Sequence, residues 1–325
     1  MAKQLEKQAV IVSGFRKAER RKAKLRMALC GPSGSGKTYS ALLIAQGLAP
    51  GGRIALIDTE NGSGELYSDL VDYDVATLCA PFTPGRYIEL IRDAEQAGYD
   101  ALIIDSLSHA WTGEGGILDM HDRVAAASRS GNSFAAWREV TPQHNALVDA
   151  ILNADLHVIV TMRTKTAYDM VDDGNGKKKP IKIGLAPVQR DGMEYEFTVV
   201  MDLSVEGHVA TAAKDRTGLF DGQHFIPKSE TGEVLKEWLE TGKDAEAESL
   251  ELLERLKSHV DEIDNVPHLN SWWRAHGARI GLLIGKHRQE LKDYCAAKKA
   301  AMLNELEAKP PRKSGRKGNG QAVAA

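Results

Sequence analysis

The sequence predicts an α/β fold in which a mostly parallel central sheet is flanked by helices, with a small helical appendage at the C-terminal end. Two observations support this prediction. Short aliphatic runs alternate with helical stretches as far as residue 213, and each run is continuous, as is typical of strands buried on both faces. After about residue 242, Ala, Leu, Glu and Lys recur at helical spacing instead.

The predicted strands and helices follow one another in a regular order. The apolar runs predicted as strands are Leu25–Cys30, Arg53–Asp58, Ala101–Asp105 and Leu156–Thr161. The helices predicted between them are Thr38–Gly47, Gly85–Ala97 and Ala135–Ala154. A hairpin of Tyr195–Ser204 and His208–Ala213 closes the sheet, and the appendage has helices at Ala245–Val260 and Gln289–Leu306, with Trp272 and Trp273 in its core.

Composition and charge divide the chain into four predicted regions. A basic segment at 1–24 precedes a core at 25–242, a helical region at 243–308 and a disordered basic tail at 309–325. The net charge is −3, yet residues 1–26 hold nine Lys or Arg against two acids, and the tail holds five with no acid. Basic ends on an acidic body are typical of a protein that contacts a polyanion, and equally of solvated tails.

The composition also favours a cytoplasmic protein without a membrane partner. The cysteines, Cys30, Cys79 and Cys295, are odd in number and far apart, which indicates neither a disulfide framework nor a metal knuckle. No apolar run approaches the roughly 20 residues that cross a bilayer. The lysines near the N-terminus are not followed by an apolar signal segment.

The segment Gly31-Pro32-Ser33-Gly34-Ser35-Gly36-Lys37-Thr38 fits the pattern GxxxxGK[ST] of a phosphate-binding loop, the P-loop, between a strand and a helix. Its glycines let backbone N–H groups and the helix N-terminus face a phosphate. We expect Lys37 to reach the β- and γ-phosphates and Thr38 to ligate Mg²⁺. The alternative is a loop that only mimics the pattern. The predicted nucleotide contacts are Gly31, Ser33, Gly34, Ser35, Gly36, Lys37, Thr38 and Tyr39.

Two acidic residues follow predicted strands and are candidates for the reaction itself. Asp105 ends an apolar strand in the Walker B arrangement, in which the carboxylate holds Mg²⁺ through water. Glu60 lies just past the strand that ends at Asp58, where it could orient a water for hydrolysis. The alternatives are an acid that caps a turn, for Asp105, and a solvated loop acid, for Glu60.

The order of P-loop, IDTE and LIIDS resembles the RecA/RadA recombinase core. More narrowly, the sequence over roughly residues 13–240 resembles the phage-encoded RecA-like single-strand annealing proteins. The segments that carry this resemblance are GFRKAER from Gly14, GPSGSGKTYSAL from Gly31, WREVTP from Trp137, TMRTK from Thr161, VQRDGMEYEF from Val188 and KDRTG from Lys214. The resemblance implies a RecA-like P-loop NTPase that uses ATP and Mg²⁺ to bind and anneal single-stranded DNA in the host cytoplasm, usually beside a single-strand binding protein.

The resemblance also implies roles for residues outside the P-loop. Lys214 and Arg216 resemble the two cations that reach across a subunit boundary to the neighbour's γ-phosphate; an exposed basic turn paired with local acids is the alternative. Thr161 or Arg163 occupies the place of a γ-phosphate sensor. Phe15 and Ala18 resemble a Phe-x-x-Ala motif that joins subunits into a ring or filament, although Phe15 packing on its own core explains the pattern too.

Two segments correspond by position to the DNA-binding loops of that family. Thr164–Glu194 is predicted as a long loop whose basic residues contact phosphates, and Ser108–Asn132, in which His109 is a loop residue, is the second loop. A surface flap is the rival interpretation of the first. The DNA-binding residues predicted in it are Lys165, Lys177, Lys178, Lys179 and Arg190.

Two other classes of function stay open on the sequence alone. A ring-forming motor or helicase loader could use the same ATPase residues. A P-loop kinase is the second alternative, and the long basic segment together with KDRTG argues against it.

Overall fold

The computed structural model describes residues 18–127, 133–172 and 178–308, with the backbone alone at 167–172, 178–183 and 305–308. The chain forms two compact units. Ala23–Thr241 makes the larger unit, and residues up to Lys22 join those from Gly242 onward in the smaller one. None of the helices in the described part of the chain is both long and apolar enough to cross a membrane.

The larger unit is built on a sheet that is mostly parallel. Its strands run in the order β3-β2-β4-β5-β1-β7-β8-β9, with β6 paired to β5 outside this path. The strands from β3 to β7 in this order are all parallel to one another. Strand β8 is antiparallel to β7, and β9 is antiparallel to β8. The strands are β1 Arg26–Gly31, β2 Ile54–Asp58, β3 Asp74–Thr77, β4 Ala101–Asp105, β5 His157–Asp172, β6 Lys178–Pro187, β7 Val199–Leu203, β8 Ala210–Asp215 and β9 His224–Phe225.

Helices cover both faces of this sheet, as the sequence predicted. They are α1 Lys37–Leu48, α2 Pro84–Gln96, α3 Ser108–Thr112, α4 Ile117–Ala127, α5 Ser133–Asn153 and α6 Ser229–Glu240. Helices α1 and α6 pack on one face with the side chains of one apolar core, and α2 and α5 pack on the other face with a second core. The predicted α/β class with a parallel sheet between helices is therefore confirmed.

The sheet brings the ends of its parallel strands to one edge, here called the carboxyl edge. Strands β2 and β4 are in register from Ile54 to Asp58, so Asp58 lies opposite Asp105. Strand β1 runs parallel to β5 and ends at Gly31, level with Arg163. The P-loop, both acidic strand ends and the residues after them thus lie along the same edge.

The prediction of a loop over Thr164–Glu194 was wrong for most of its length. Strand β5 continues past the sheet and pairs with β6 as an antiparallel two-stranded ribbon, from Thr164 opposite Pro187 to Asp172 opposite Lys178. We call this feature the β5–β6 ribbon. Charged residues interrupt the apolar positions of both strands, so the period-two pattern that predicts a strand is weak here.

Three further differences from the predictions concern local structure. The segment predicted as a second loop contains helices α3 and α4, so His109 is helical. The strand predicted at Tyr195–Ser204 begins only at Val199, because a short 3₁₀ helix occupies Met193–Glu196. Strand β3 and helix α6 were not predicted. Helix α6 approaches α1 closely, since an added Cβ on Gly232 would come 2.1 Å from the Ile44 carbonyl oxygen.

The smaller unit contains the C-terminal helices. They are α7 Ala245–Asp261, α8 Val266–Ala275, α9 Gly277–Ile280 and α10 Gly285–Ala308. Trp272 and Trp273 are partly buried against its apolar core, as predicted. Two of the basic residues before the larger unit form ion pairs in this unit, Lys22 with Asp244 at 3.3 Å and Arg21 with Glu248 at 4.0 Å.

Candidate nucleotide-binding site

The P-loop turns from β1 into α1 at the carboxyl edge. Gly34 and Gly36 have φ angles of 79° and 83°, in the left-handed region that favours glycine. Gly36 is the N-cap of α1. The loop therefore ends at a helix N-terminus, whose unpaired backbone N–H groups and dipole favour a bound anion.

Two side chains of the loop fit a bound phosphate. Ser35 Oγ is buried and has no hydrogen-bond partner among the residues that the structure describes. Lys37 is 9% exposed, and its Nζ donates to the carbonyl oxygen of Pro32 at 2.9 Å. Burial lowers the pKa of the Lys37 amino group, against the opposing effect of Asp105 and Glu60. An anion in the loop would stabilise this buried cation and accept from the buried hydroxyl.

The Asp105 carboxylate is buried at the end of β4 between two hydroxyl donors. Thr38 Oγ1 donates to its Oδ2 at 2.5 Å, and Thr161 Oγ1 donates to its Oδ1 at 2.5 Å. Burial raises the pKa of Asp105, and the hydrogen bonds from Thr161 and Thr38 lower it. Thr161 is fully buried. Its hydroxyl thus orients Asp105, which makes it an unsuitable sensor of phosphate.

The oxygen atoms of Thr38 and Asp105 are hard donors of the kind that Mg²⁺ prefers. In the part of the chain that the structure describes, no group of three or more His, Cys, Asp or Glu could hold a metal ion. One carboxylate and one hydroxyl suit a Mg²⁺ ion that takes its remaining ligands from water and nucleotide phosphates. The donor set therefore fits Mg²⁺ bound together with a nucleotide.

Glu60 reaches the same place from the loop after β2. Its position is fixed by Asp58, a fully buried carboxylate that accepts from the backbone N–H groups of Glu60 at 2.6 Å and Gly64 at 3.2 Å. The Glu60 side chain forms an ion pair with Arg163, at 2.8 Å between Oε1 and a terminal guanidinium nitrogen. Nothing in the sequence pairs these two residues, which lie more than 100 positions apart.

These groups surround a cavity of about 500 Å³. Its lining comprises Pro32, Ser33, Gly34, Gly36, Lys37, Thr38, Glu60, Ser63, Leu66, Tyr67, Asp105, Arg163 and Thr164. The lining residues that were not predicted as site residues are Pro32, Ser63, Leu66, Tyr67 and Thr164. Of the predicted nucleotide contacts outside this lining, Gly31 ends β1 and Tyr39 packs its ring edge-on against Tyr67 at 6.0 Å.

The comparisons with known proteins agree with this geometry. Residues 23–232 match the family described as AAA domain. The chain belongs to the AAA domain family. A comparison with curated proteins gave no significant match. The larger unit is therefore an AAA-type P-loop ATPase domain with an α/β fold, and nucleotide binding, usually with Mg²⁺, is the property of such domains.

Lys214 and Arg216 lie at the opposite edge of the AAA domain's sheet. Strand β8 runs antiparallel to β7, which places Asp215 opposite Val199 at the start of β7. There Lys214 Nζ donates to the backbone oxygen of Tyr195 at 2.5 Å, and a guanidinium nitrogen of Arg216 donates to the same oxygen at 3.0 Å. Neither cation is placed to reach the phosphate loop of its own chain.

The residues predicted to bind DNA are only partly described. Lys165 is exposed at the base of the β5–β6 ribbon, and Lys178 and Lys179 lie on β6, where the backbone alone is described. Lys177 lies outside the described residues. Arg190 lies beyond the ribbon, with its guanidinium 6.0 Å from the centre of the Trp137 ring.

The two residues of the predicted oligomerisation motif are also incompletely described. Ala18 is exposed, and Phe15 lies outside the described residues. A separate apolar groove of about 190 Å³ lies between edge strand β3 and helix α2. Among the residues that line it are Val75, Leu90 and Ala94.

Proposed function

We propose that this chain is a RecA-like ATPase that binds single-stranded DNA and promotes strand annealing. The observation that carries the proposal is the continuity of β5. Strand β5 reaches the nucleotide cavity at Arg163 and Thr164, and beyond them it forms one strand of the β5–β6 ribbon, which carries lysines. A change in how the cavity holds a phosphate would therefore reach the ribbon through one strand.

Several of the residues that line the cavity have separate roles in the proposed hydrolysis of ATP. Lys37 and the P-loop N–H groups hold the phosphates, and Thr38 with Asp105 holds Mg²⁺. Bound Mg²⁺–ATP supplies the phosphoanhydride bond that is cleaved. The Glu60 carboxylate orients a water and accepts its proton, a contribution of about 10² to 10⁴ in rate for a positioned base. Arg163, rather than Thr161, would respond to the γ-phosphate, because Arg163 lines the cavity whereas Thr161 is buried.

The ribbon supplies a sequence-independent grip on the DNA backbone. Lys165, Lys177, Lys178 and Lys179 contact phosphates, and Arg190 adds a cation beside Trp137. Such contacts release counterions, so the affinity for DNA falls as salt rises. They read no base sequence, which suits a protein that pairs any complementary strands.

The position of Lys214 and Arg216 at the edge opposite the P-loop supports the proposal that the chain self-associates. Cations so placed can reach the γ-phosphate of a neighbouring protomer, where an arginine contributes about 10³ to 10⁵ in rate. The segment from Phe15 to Ala18 would dock on the neighbour, and the groove beside Val75 offers apolar walls next to an unpaired strand edge. A single-strand binding protein is the further partner that the resemblance implies.

The test measures ATP turnover and annealing of complementary oligonucleotides, with and without single-stranded DNA. Lys37→Ala should abolish turnover. The double variant Lys178→Ala/Lys179→Ala should weaken DNA binding and reduce its slope with salt. Its matched control is Lys24→Ala/Lys236→Ala, which removes the same charge at the other end of the sheet. Turnover indifferent to single-stranded DNA, or equal DNA affinity of both double variants, would contradict the proposal.

A further inference from the structure

Two consecutive residues of helix α3 contact the chain next to the two members of the Glu60–Arg163 ion pair. Ser108 Oγ accepts from the backbone N–H of Arg163 at 2.9 Å. The Nδ1 atom of His109 lies 2.7 Å from the hydroxyl of Thr59, the residue directly before Glu60. One turn of helix therefore contacts the backbone of Arg163 and the side chain of the residue before Glu60.

Thr59 is tightly held on the side of Glu60. It is 2% exposed, and its backbone N–H donates to the carbonyl oxygen of Asp105 at 2.7 Å. Its hydroxyl accepts from the backbone N–H of Ser106 at 2.8 Å and meets His109 Nδ1 at the shorter distance of 2.7 Å. Because Thr59 directly precedes Glu60 in the chain, the position of Thr59 determines where the Glu60 side chain leaves the backbone.

The His109 ring is itself fixed in orientation. It stacks on the ring of Phe82, with 4.9 Å between centroids and 26° between planes. Ser108, on the other side, is 1% exposed, and its N–H donates to Ser106 Oγ at 3.2 Å. Thr59 and Ser108 are thus almost completely buried, whereas the side chains of Glu60 and Arg163 are 29% and 47% exposed.

We propose that Ser108 and His109 are positioning residues that set the separation of Glu60 and Arg163 in the nucleotide site. The proposal rests on the proposed role of Glu60 in hydrolysis. Hydrogen bonds to the backbone N–H of Arg163 and to the Thr59 hydroxyl place the two charged groups, in addition to the Asp58 carboxylate that accepts from the Glu60 N–H. Neither residue touches the nucleotide cavity itself.

The experiment compares turnover with nucleotide binding, because a positioning role affects only the first. His109→Ala should lower kcat about 10- to 100-fold, the range expected for a misplaced reactive group, and leave the affinity for a non-hydrolysable ATP analogue unchanged. His109→Asn should recover most of kcat, because an atom of the Asn amide group can occupy the position of Nδ1 and bond to the Thr59 hydroxyl. Ser108→Ala should lower kcat without changing affinity.

The matched control is His224, whose Nδ1 lies 2.9 Å from the Thr211 hydroxyl on β8, away from the cavity. His224→Ala should leave kcat unchanged. Combining His109→Ala with Thr59→Val should cost no more than Thr59→Val alone, because Thr59→Val already removes the contact with His109 in addition to the one with Ser106.

Three outcomes would overturn the proposal. One is a normal kcat for His109→Ala when Glu60→Gln is inactive, which leaves the proposed function intact. Another is an equal loss of kcat and of analogue affinity in His109→Ala, which indicates a collapsed site. The third is a normal kcat for Glu60→Gln, which overturns the proposed role of Glu60 as well.

Discussion

Replacing Thr161 with valine tests whether its hydroxyl supports Asp105, as the geometry indicates. The change keeps the side-chain shape and removes the donor 2.5 Å from Oδ1 of a carboxylate that is 2% exposed. A hydrogen bond to a charged group contributes about 1.5–3 kcal/mol. We therefore expect the free energy of unfolding of the nucleotide-free protein to fall by about 2 kcal/mol at pH 8.

The assay is urea unfolding in EDTA, so that neither metal nor nucleotide compensates. Thr161→Ser is the control, because it keeps the donor and removes one methyl group, for about 1 kcal/mol. The m-value should stay constant, as it does when a substitution changes only stability. A smaller loss in Thr161→Val than in Thr161→Ser would refute the reasoning, because the hydroxyl would then contribute less than the methyl group.

Three further predictions address other parts of the larger unit. Burial, with Lys24 and Arg26 nearby, lowers the pKa of His157 to about 4, and its Nδ1 accepts from the backbone N–H of Leu25 at 3.0 Å. The unfolded chain therefore binds a proton that the folded protein does not between about pH 6.5 and pH 4, so stability falls with falling pH, by about 2 kcal/mol at pH 5. His157→Asn, which keeps an acceptor, should lack this part of the acid loss in denaturation curves. Mixing inactive Arg216→Ala with inactive Lys37→Ala should restore some ATP turnover if cations act across a boundary; mixtures that stay inactive at every ratio would argue against it. Arg26→Met should lower the free energy of unfolding by about 3 kcal/mol in urea, because it removes the guanidinium donor from the carbonyl oxygens of Leu152, at the end of α5, and of Leu156, just before β5.

The sequence predicts those parts of the site that are formed by residues consecutive in the chain. The P-loop pattern specifies its own local geometry, since glycines at 34 and 36 and the following helix determine where N–H groups point. Asp105 was predictable because a continuous apolar run indicates a strand buried in a parallel sheet, and an acid that ends this strand must lie at the carboxyl edge. These predictions needed no information about distant contacts.

The parts that the sequence does not reveal depend on contacts between distant segments. Arg163 meets Glu60 only because β5 lies between β4 and β1 in the sheet. Strand β3 has only four residues and lies at a sheet edge with mostly exposed side chains, so it lacks the apolar pattern of the inner strands. Pairing with β5, rather than its own composition, makes β6 a strand.

The charges that line the cavity are balanced in the absence of nucleotide, and this balance constrains how Glu60 can act. Lys37 and Arg163 face Glu60 and Asp105, two cations against two anions. A triphosphate brings an excess of negative charge even with Mg²⁺, so it competes with Glu60 for Arg163. If Glu60 acts as proposed, Arg163 would turn toward phosphate, and the Glu60 carboxylate would then lose its partner and become available to accept a proton from water. In the proposed mechanism the ion pair with Arg163 would thus keep Glu60 occupied until an anion arrives.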